Sequence, residues 1–138
     1  MQQIFDITTL EALDAAIATI RQHIDKKVYY LEGTLGAGKT TFVQHWLRQA
    51  GYSGVVQSPT YALMNEYYIG QQTVIHADLY RLAAPDELLY LDVRDWSERA
   101  THIFIEWAQN GGDYLPAADV FCQFALRDGR RYLSVAAA

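Results

Sequence analysis

The most chemically loaded run in the chain is Gly33-Thr34-Leu35-Gly36-Ala37-Gly38-Lys39-Thr40, which fits the pattern G-x-x-x-x-G-K-[ST] at every fixed position. A polyphosphate tail presents crowded anionic oxygens. A loop that binds it must bring backbone N–H groups close with no side chain in between. Gly33, Gly36 and Gly38 permit that approach and the dihedrals it requires. Leu35, Ala37 and Thr41 would contribute main-chain donors to the same cradle, and a helix starting at Lys39 adds positive potential at its amino end. Lys39 can span the outer phosphates, and the Thr40 hydroxyl can ligate magnesium. The ligand these residues imply is a nucleoside triphosphate with Mg2+.

Such a site needs a carboxylate at the end of a neighbouring strand, holding magnesium directly or through water. Val74-Ile75-His76-Ala77-Asp78 ends one strand-like run, and Ile103-Phe104-Ile105-Glu106 ends a more apolar one. Both would open toward the ligand crevice of an α/β sheet. We assign Glu106 to the metal, together with Thr40, and Asp78 to water positioning or outer support. Lys39, Asp78 and Glu106 form the expected catalytic set. His76, on the same strand face as Asp78, reads as a hydrogen-bonded structural histidine, with a metal or base role as the alternative. Arg81 is a candidate for steadying phosphate charge or for an ordinary ion pair. Tyr80 and Trp107 read as core packing or as an exposed partner surface.

These groups require a scaffold, and the hydrophobic pattern supplies one. Thr8-Thr9-Leu10-Glu11 reads as a capping box, with Thr8 accepting a free amide and Glu11 reaching back. Leu10, Leu13, Ile17, Ile20 and Ile24 then recur at helical spacing. Val28 to Leu31 reads as a buried strand. Lys39 to Ala50 reads as a second helix with Phe42, Val43, Trp46 and Leu47 inward, ended by Gly51. Tyr61 to Ile69 and Thr73 to Asp78 read as strands around a Gly70-Gln71-Gln72 turn, and Pro85 opens a short helix carrying Leu88, Leu89 and Leu91. Ile103 to Ile105 forms another strand. Val120, Cys122, Phe124 and Leu126 alternate, and Asp128-Gly129 turns the chain into a last strand from Arg130 to Val135. The order predicts one three-layer α/β domain of P-loop NTPase type over residues 1–138, with a mixed, mostly parallel central sheet flanked by helices.

Composition narrows the partners. With 138 residues, 51% of them hydrophobic, the chain suits one globular domain and can bury its own core. The net charge of -5 and the absence of any Lys/Arg run longer than Lys26-Lys27 or Arg130-Arg131 argue against a chain that grips DNA or tRNA alone. No apolar run suggests a membrane span, the start does not read as a signal peptide, and a single cysteine, Cys122, forms no disulfide framework. The expected compartment is a reducing cytoplasm.

Beyond the loop, Ser58-Pro59-Thr60-Tyr61, Asn65-Glu66-Tyr67, His76-Ala77-Asp78-Leu79-Tyr80-Arg81 and Ile105-Glu106-Trp107 follow in order. Together with Leu35 to Phe42 this set resembles the TsaE family (also called YjeE), small bacterial ATPases needed to make threonylcarbamoyladenosine in tRNA. The resemblance runs from about Thr8 to Trp107. It implies ATP and Mg2+ as ligands and slow hydrolysis. It also implies action with TsaD and TsaB, which carry the threonylcarbamoyl transfer, with tRNA held through those partners. By the same likeness Lys39 and Thr40 bind phosphate and magnesium, Glu106 binds magnesium, Asp78 supports hydrolysis, and Ser58-Pro59-Thr60 is a nucleotide-responsive loop. Thr34 stands where the family often has an acidic residue, and Leu91-Asp92 where a glycine is common.

Other functions use the same loop. A small-molecule kinase would need an acceptor pocket and an arginine-bearing lid, whereas Arg81, Arg94 and Arg99 are dispersed. A non-hydrolysing interaction module would bind nucleotide and partner without releasing phosphate. A GTPase is disfavoured because Asn110-Gly111-Gly112-Asp113 lacks the lysine of N-K-x-D. Thr8 and Arg131 are candidates to flank the nucleotide base.

Overall fold

A computed structural model describes residues 2–138. In chain order the elements are β1 (Gln2–Asp6), α1 (Leu10–His23), β2 (Val28–Glu32), α2 (Lys39–Gln49), β3 (Met64–Ile69), β4 (Gln72–Asp78), α3 (Trp96–Arg99), β5 (His102–Glu106), β6 (Val120–Arg127) and β7 (Arg130–Ala137). The strands form one sheet in the order β1-β7-β6-β2-β5-β4-β3. Its centre, β6-β2-β5-β4, is parallel, and antiparallel partners close both sides: β3 on β4, and β7 then β1 on β6.

The apolar spacing of the two long helices explains one layer. Leu13, Ile17 and Ile20 of α1 and Phe42, Val43 and Leu47 of α2 are buried against Tyr29, Leu31, Phe104, Cys122 and Phe124 of the sheet. Burying each such side chain stabilises the fold by roughly 1.5–3 kcal/mol. The opposite layer is not a helix pair. After β4 the chain runs through 3-10 turns at Pro85–Leu91 and Val93–Asp95 and the single turn α3. Leu88, Val93 and Trp96 anchor this segment on Val28, Ile75, Ala77, Ile103 and Ile105. Glu87 ties its start by accepting the N–H groups of Ala83 and Ala84. Asp92 adopts a left-handed φ of 54°, a conformation that favours glycine.

Three local expectations need correction. The cap of α1 is Thr9, whose Oγ1 accepts the Ala12 N–H at 3.1 Å. Thr8 instead donates its hydroxyl to Asp6 and accepts the Arg131 N–H, so no box forms between Thr8 and Glu11. The strand expected from Tyr61 starts at Met64, because Leu63 takes a φ of 68° that breaks extended pairing. And β1 is an additional strand that the sequence reading did not anticipate.

Candidate functional site

The first parallel strand, β2, ends at Glu32, and α2 begins at Lys39, so the glycine-rich loop is the whole connection between them. Gly36 and Gly38 hold φ values of 79° and 110°, which side-chain-bearing residues rarely adopt. At Gly33 a Cβ would stand 2.8 Å from the Phe124 carbonyl oxygen, so only glycine lets the loop pass β6. No side chain caps the amino end of α2, where the chain enters through Gly38 itself. The first N–H groups of that helix therefore face the loop.

Lys39 is 95% buried although charged; its Nζ donates to the carbonyls of Gly33 and Thr34 and lies 4.3 Å from the centroid of the Trp107 ring. Burial pulls its pKa down, while Glu106 and Asp78 hold it up. Trp107 reaches this place because its backbone turns left-handed, φ 58°, directly after β5, and its ring also meets Tyr80 at 5.0 Å.

Adjacent parallel strands carry the two carboxylates in register, Asp78 on β4 opposite Glu106 on β5. Both are buried. Glu106 Oε2 accepts the Thr40 hydroxyl at 3.1 Å and lies 2.5 Å from His76 Nε2. Asp78 accepts the Tyr80 N–H at 3.1 Å and, more distantly, the Thr60 hydroxyl at 3.4 Å. Burial raises its pKa first, the Tyr80 N–H opposes this, and the Glu106 charge adds to the rise.

A cleft of ≈ 350 Å³ joins these groups. It is lined by Leu35, Gly36, Gly38, Lys39, Thr40 and Thr41 of the loop and helix start, together with Thr60, Asp78, Glu106, Trp107 and Arg131. Arg131 enters at the start of β7, where its guanidinium comes within 3.6 Å of the Cβ position of Gly38. Its N–H is held by Thr8, and Asp6 pins Thr8 in turn and pairs with Arg130. The Thr8 and Arg130 bonds lower the Asp6 pKa to about 2. Of the expected site residues, the structure therefore brings Leu35, Gly36, Gly38, Lys39, Thr40, Thr41, Asp78, Glu106 and Arg131 to this cleft, with Gly33 in the adjoining one, while Thr8 is tied to it only through the Arg131 N–H. Arg81 points elsewhere, its guanidinium 4.9 Å from the Tyr61 ring centroid. The contact of Trp107 with Lys39 was missed by the sequence reading; no spacing rule announces a left-handed residue after a strand. A second cleft beside the first adds Glu32 and Gln109, which the sequence also did not single out.

The donor set fits magnesium. This ion takes hard oxygen ligands, usually one or two carboxylates with phosphate and water. Thr40 supplies a hydroxyl and Glu106 a carboxylate, and the hydrogen bond of 3.1 Å between them places both at one point of the cleft. Among the described residues no cluster of three or more His, Cys, Asp or Glu side chains could hold a metal. An ion here would complete its shell from phosphate oxygens and water, as Mg2+ at nucleotide sites does.

Comparison with known proteins gives a consistent set of likenesses. The family model described as threonylcarbamoyl adenosine biosynthesis protein TsaE matches residues 6–132. A Haemophilus influenzae protein named tRNA threonylcarbamoyladenosine biosynthesis protein TsaE is 40% identical over 119 residues, 86% of this chain and 75% of that protein. A Treponema pallidum protein of the same name is 33% identical over 110 residues, 79% of this chain and 81% of that protein. One from Bacillus subtilis is 37% identical over 89 residues, 64% of this chain and 55% of its own length. Among solved structures, that of Bacillus subtilis YdiB superposes with a TM-score of 0.73 over 99% of this chain and 86% of that one. At 24% identity this last likeness speaks for the fold.

Proposed function

This chain belongs to the TsaE family, and from that premise we propose that it is a magnesium-dependent ATPase required for threonylcarbamoyladenosine formation in tRNA, acting in the cytoplasm with the TsaD and TsaB proteins. Its relatives are named for that modification. The observation that carries the ATPase reading is the convergence of a glycine-built loop, the uncapped start of α2, and a Thr40 hydroxyl bonded to the Glu106 carboxylate. No described helix is long and apolar enough to cross a membrane. The net charge of -5 suits a chain whose tRNA is held by its partners.

Each residue has a role in this reading. The main-chain N–H groups from Gly33 to Thr41 receive the phosphates. Lys39 leaves the Gly33 and Thr34 carbonyls to meet the outer phosphate oxygens, exchanging two neutral acceptors for a charged one. Thr40 and Glu106 would hold the metal. Asp78 orients the attacking water, and its raised pKa suits a group that handles a proton. Thr60, hydrogen-bonded to both Ser58 and Asp78, links the Ser58-Pro59-Thr60 loop to the site. Arg131, steered by Thr8, flanks the base. Magnesium, when bound, would neutralise negative charge on the phosphates.

The test mixes the protein with TsaB and TsaD and follows ATP turnover and tRNA modification over repeated cycles. We expect sustained cycles with the parent and none with Lys39→Ala. Equal cycling by the variant, or a phosphorylated small-molecule acceptor in place of free phosphate, would refute the proposal.

A further inference from the structure

His76 has no solvent exposure, and its strand neighbours Val74, Ile75 and Ala77 are wholly buried and apolar. An aromatic or aliphatic side chain would suit that position on packing grounds, since His76 stands in register with Phe104. The histidine instead points Nε2 at Glu106 Oε2, 2.5 Å away, in a fully buried contact. Its other ring nitrogen, Nδ1, is buried with no partner among the described residues. A bare lone pair there is easier to bury than an unpaired N–H, so the proton sits on Nε2 and is donated to the carboxylate. Among the described residues, both hydrogen bonds to the Glu106 carboxylate thus fall on Oε2, from His76 and Thr40. The carboxylate is fixed at one oxygen, and Oε1 is left for the cleft that Glu106 lines.

We propose that His76 is a positioning residue for magnesium: through Nε2–H it locks the Glu106 carboxylate in the rotamer that faces Thr40 Oγ1 and the phosphate site. The proposal rests on the Mg2+–ATP reading above. Side chains that orient metal ligands in this way change metal affinity by about 10–100-fold when removed. A histidine retained only for packing would have no such effect.

The test exploits side-chain isosteres. Gln places its amide nitrogen where His carries Nε2, whereas Asn places its own where His carries Nδ1. Affinity for a non-hydrolysable ATP analogue is measured by calorimetry in EDTA and across a Mg2+ titration, for the parent, His76→Gln, His76→Asn and His76→Phe. Circular dichroism and thermal unfolding check that each variant is folded. We expect all folded variants to match the parent in EDTA. With Mg2+, His76→Asn and His76→Phe should need about 10-fold more ion for half-saturation, and His76→Gln should recover to within about 3-fold of the parent. Should His76→Phe not fold, the contrast between Gln and Asn decides. Equal Mg2+ dependence in Gln and Asn variants, or a parent-like His76→Phe, overturns the positioning role. Failure of the parent itself to bind the analogue, or to respond to Mg2+, defeats the ATPase reading and this inference with it.

Discussion

Replacing Asp78 by Asn should stabilise the ligand-free protein while impairing hydrolysis. Burial, and secondarily the Glu106 charge in register across β4 and β5, raises the Asp78 pKa above its ordinary value of 3.8. Strands lie about 4.8 Å apart, and unit charges at roughly that spacing repel by about 3 kcal/mol at an effective dielectric of 20, which is a ceiling on the Glu106 contribution. Lys39 in the same cleft offsets part of this. Asn retains an oxygen acceptor for the Tyr80 N–H, so that hydrogen bond survives. A net gain of about 1–2 kcal/mol at neutral pH follows, within the range found when a crowded functional charge is removed. The pH dependence has a definite sign. A carboxyl whose pKa is raised on folding contributes stability that is complete below its unfolded value, 3.8, and lost as pH rises through the higher folded value. The variant's advantage is therefore largest at neutral pH and shrinks as pH falls toward 4. Urea unfolding from pH 8 to pH 4.5, beside phosphate release with TsaB and TsaD, checks both halves. A variant less stable than the parent at neutral pH, or an advantage independent of pH, would refute the electrostatic reasoning.

Two glycine variants should separate crowding from backbone strain. Gly33→Ala meets the Phe124 carbonyl at 2.8 Å in addition to an unfavourable φ, and should cost about 2–4 kcal/mol in urea unfolding. Gly36→Ala finds open space and should cost only the left-handed strain of about 1–2 kcal/mol, while still weakening nucleotide affinity. ATP binding should change tryptophan fluorescence as Lys39 leaves the Trp107 face, and Trp107→Phe should abolish most of that signal; an unchanged response would place it at Trp46 or Trp96. Thr40→Val removes a proposed magnesium ligand, and should lose about 10-fold in Mg2+-dependent affinity for an ATP analogue while binding in EDTA stays near the parent's.

Local signals in the sequence located much of the molecule. The spacing of Leu13, Ile17 and Ile20, and of Phe42, Val43 and Leu47, identifies the faces that α1 and α2 bury, and Gly51 ends α2 with a φ of 104° as anticipated. Asp128-Gly129 makes the expected hairpin, both residues at positive φ. What escaped was decided by distant partners. β1 has a polar, mostly exposed pattern and exists because β7 offers it an edge, register Gln2 to Ala136 through Asp6 to Tyr132. Thr8 looked like a cap because its neighbours fit one, but Asp6 and Arg131, the latter 123 residues away, claim its hydroxyl. The layer over Val28, Ile75 and Ile103 carries helical leucine spacing at Pro85–Leu91 yet winds as 3-10 turns. Within the site, the type and order of Lys39, Thr40, Asp78 and Glu106 were legible, since each sits at the end of a strand or the start of a helix. The packing of Trp107 on Lys39 and the closeness of His76 to Glu106 depend on how β4 and β5 pair, which one-dimensional spacing does not encode.

The central claim is that the loop from Gly33 to Thr41 receives a nucleotide's triphosphate beside magnesium. A crystal structure grown with a non-hydrolysable ATP analogue and Mg2+ tests it most directly. The account predicts phosphate oxygens on the N–H groups of that loop, Lys39 withdrawn from the Gly33 carbonyl, and the ion on Thr40 Oγ1 with Glu106 beside it. A triphosphate seated elsewhere, for instance in the ≈ 360 Å³ cavity between Gln3, Ile24 and Val135 at the other end of the sheet, would contradict it.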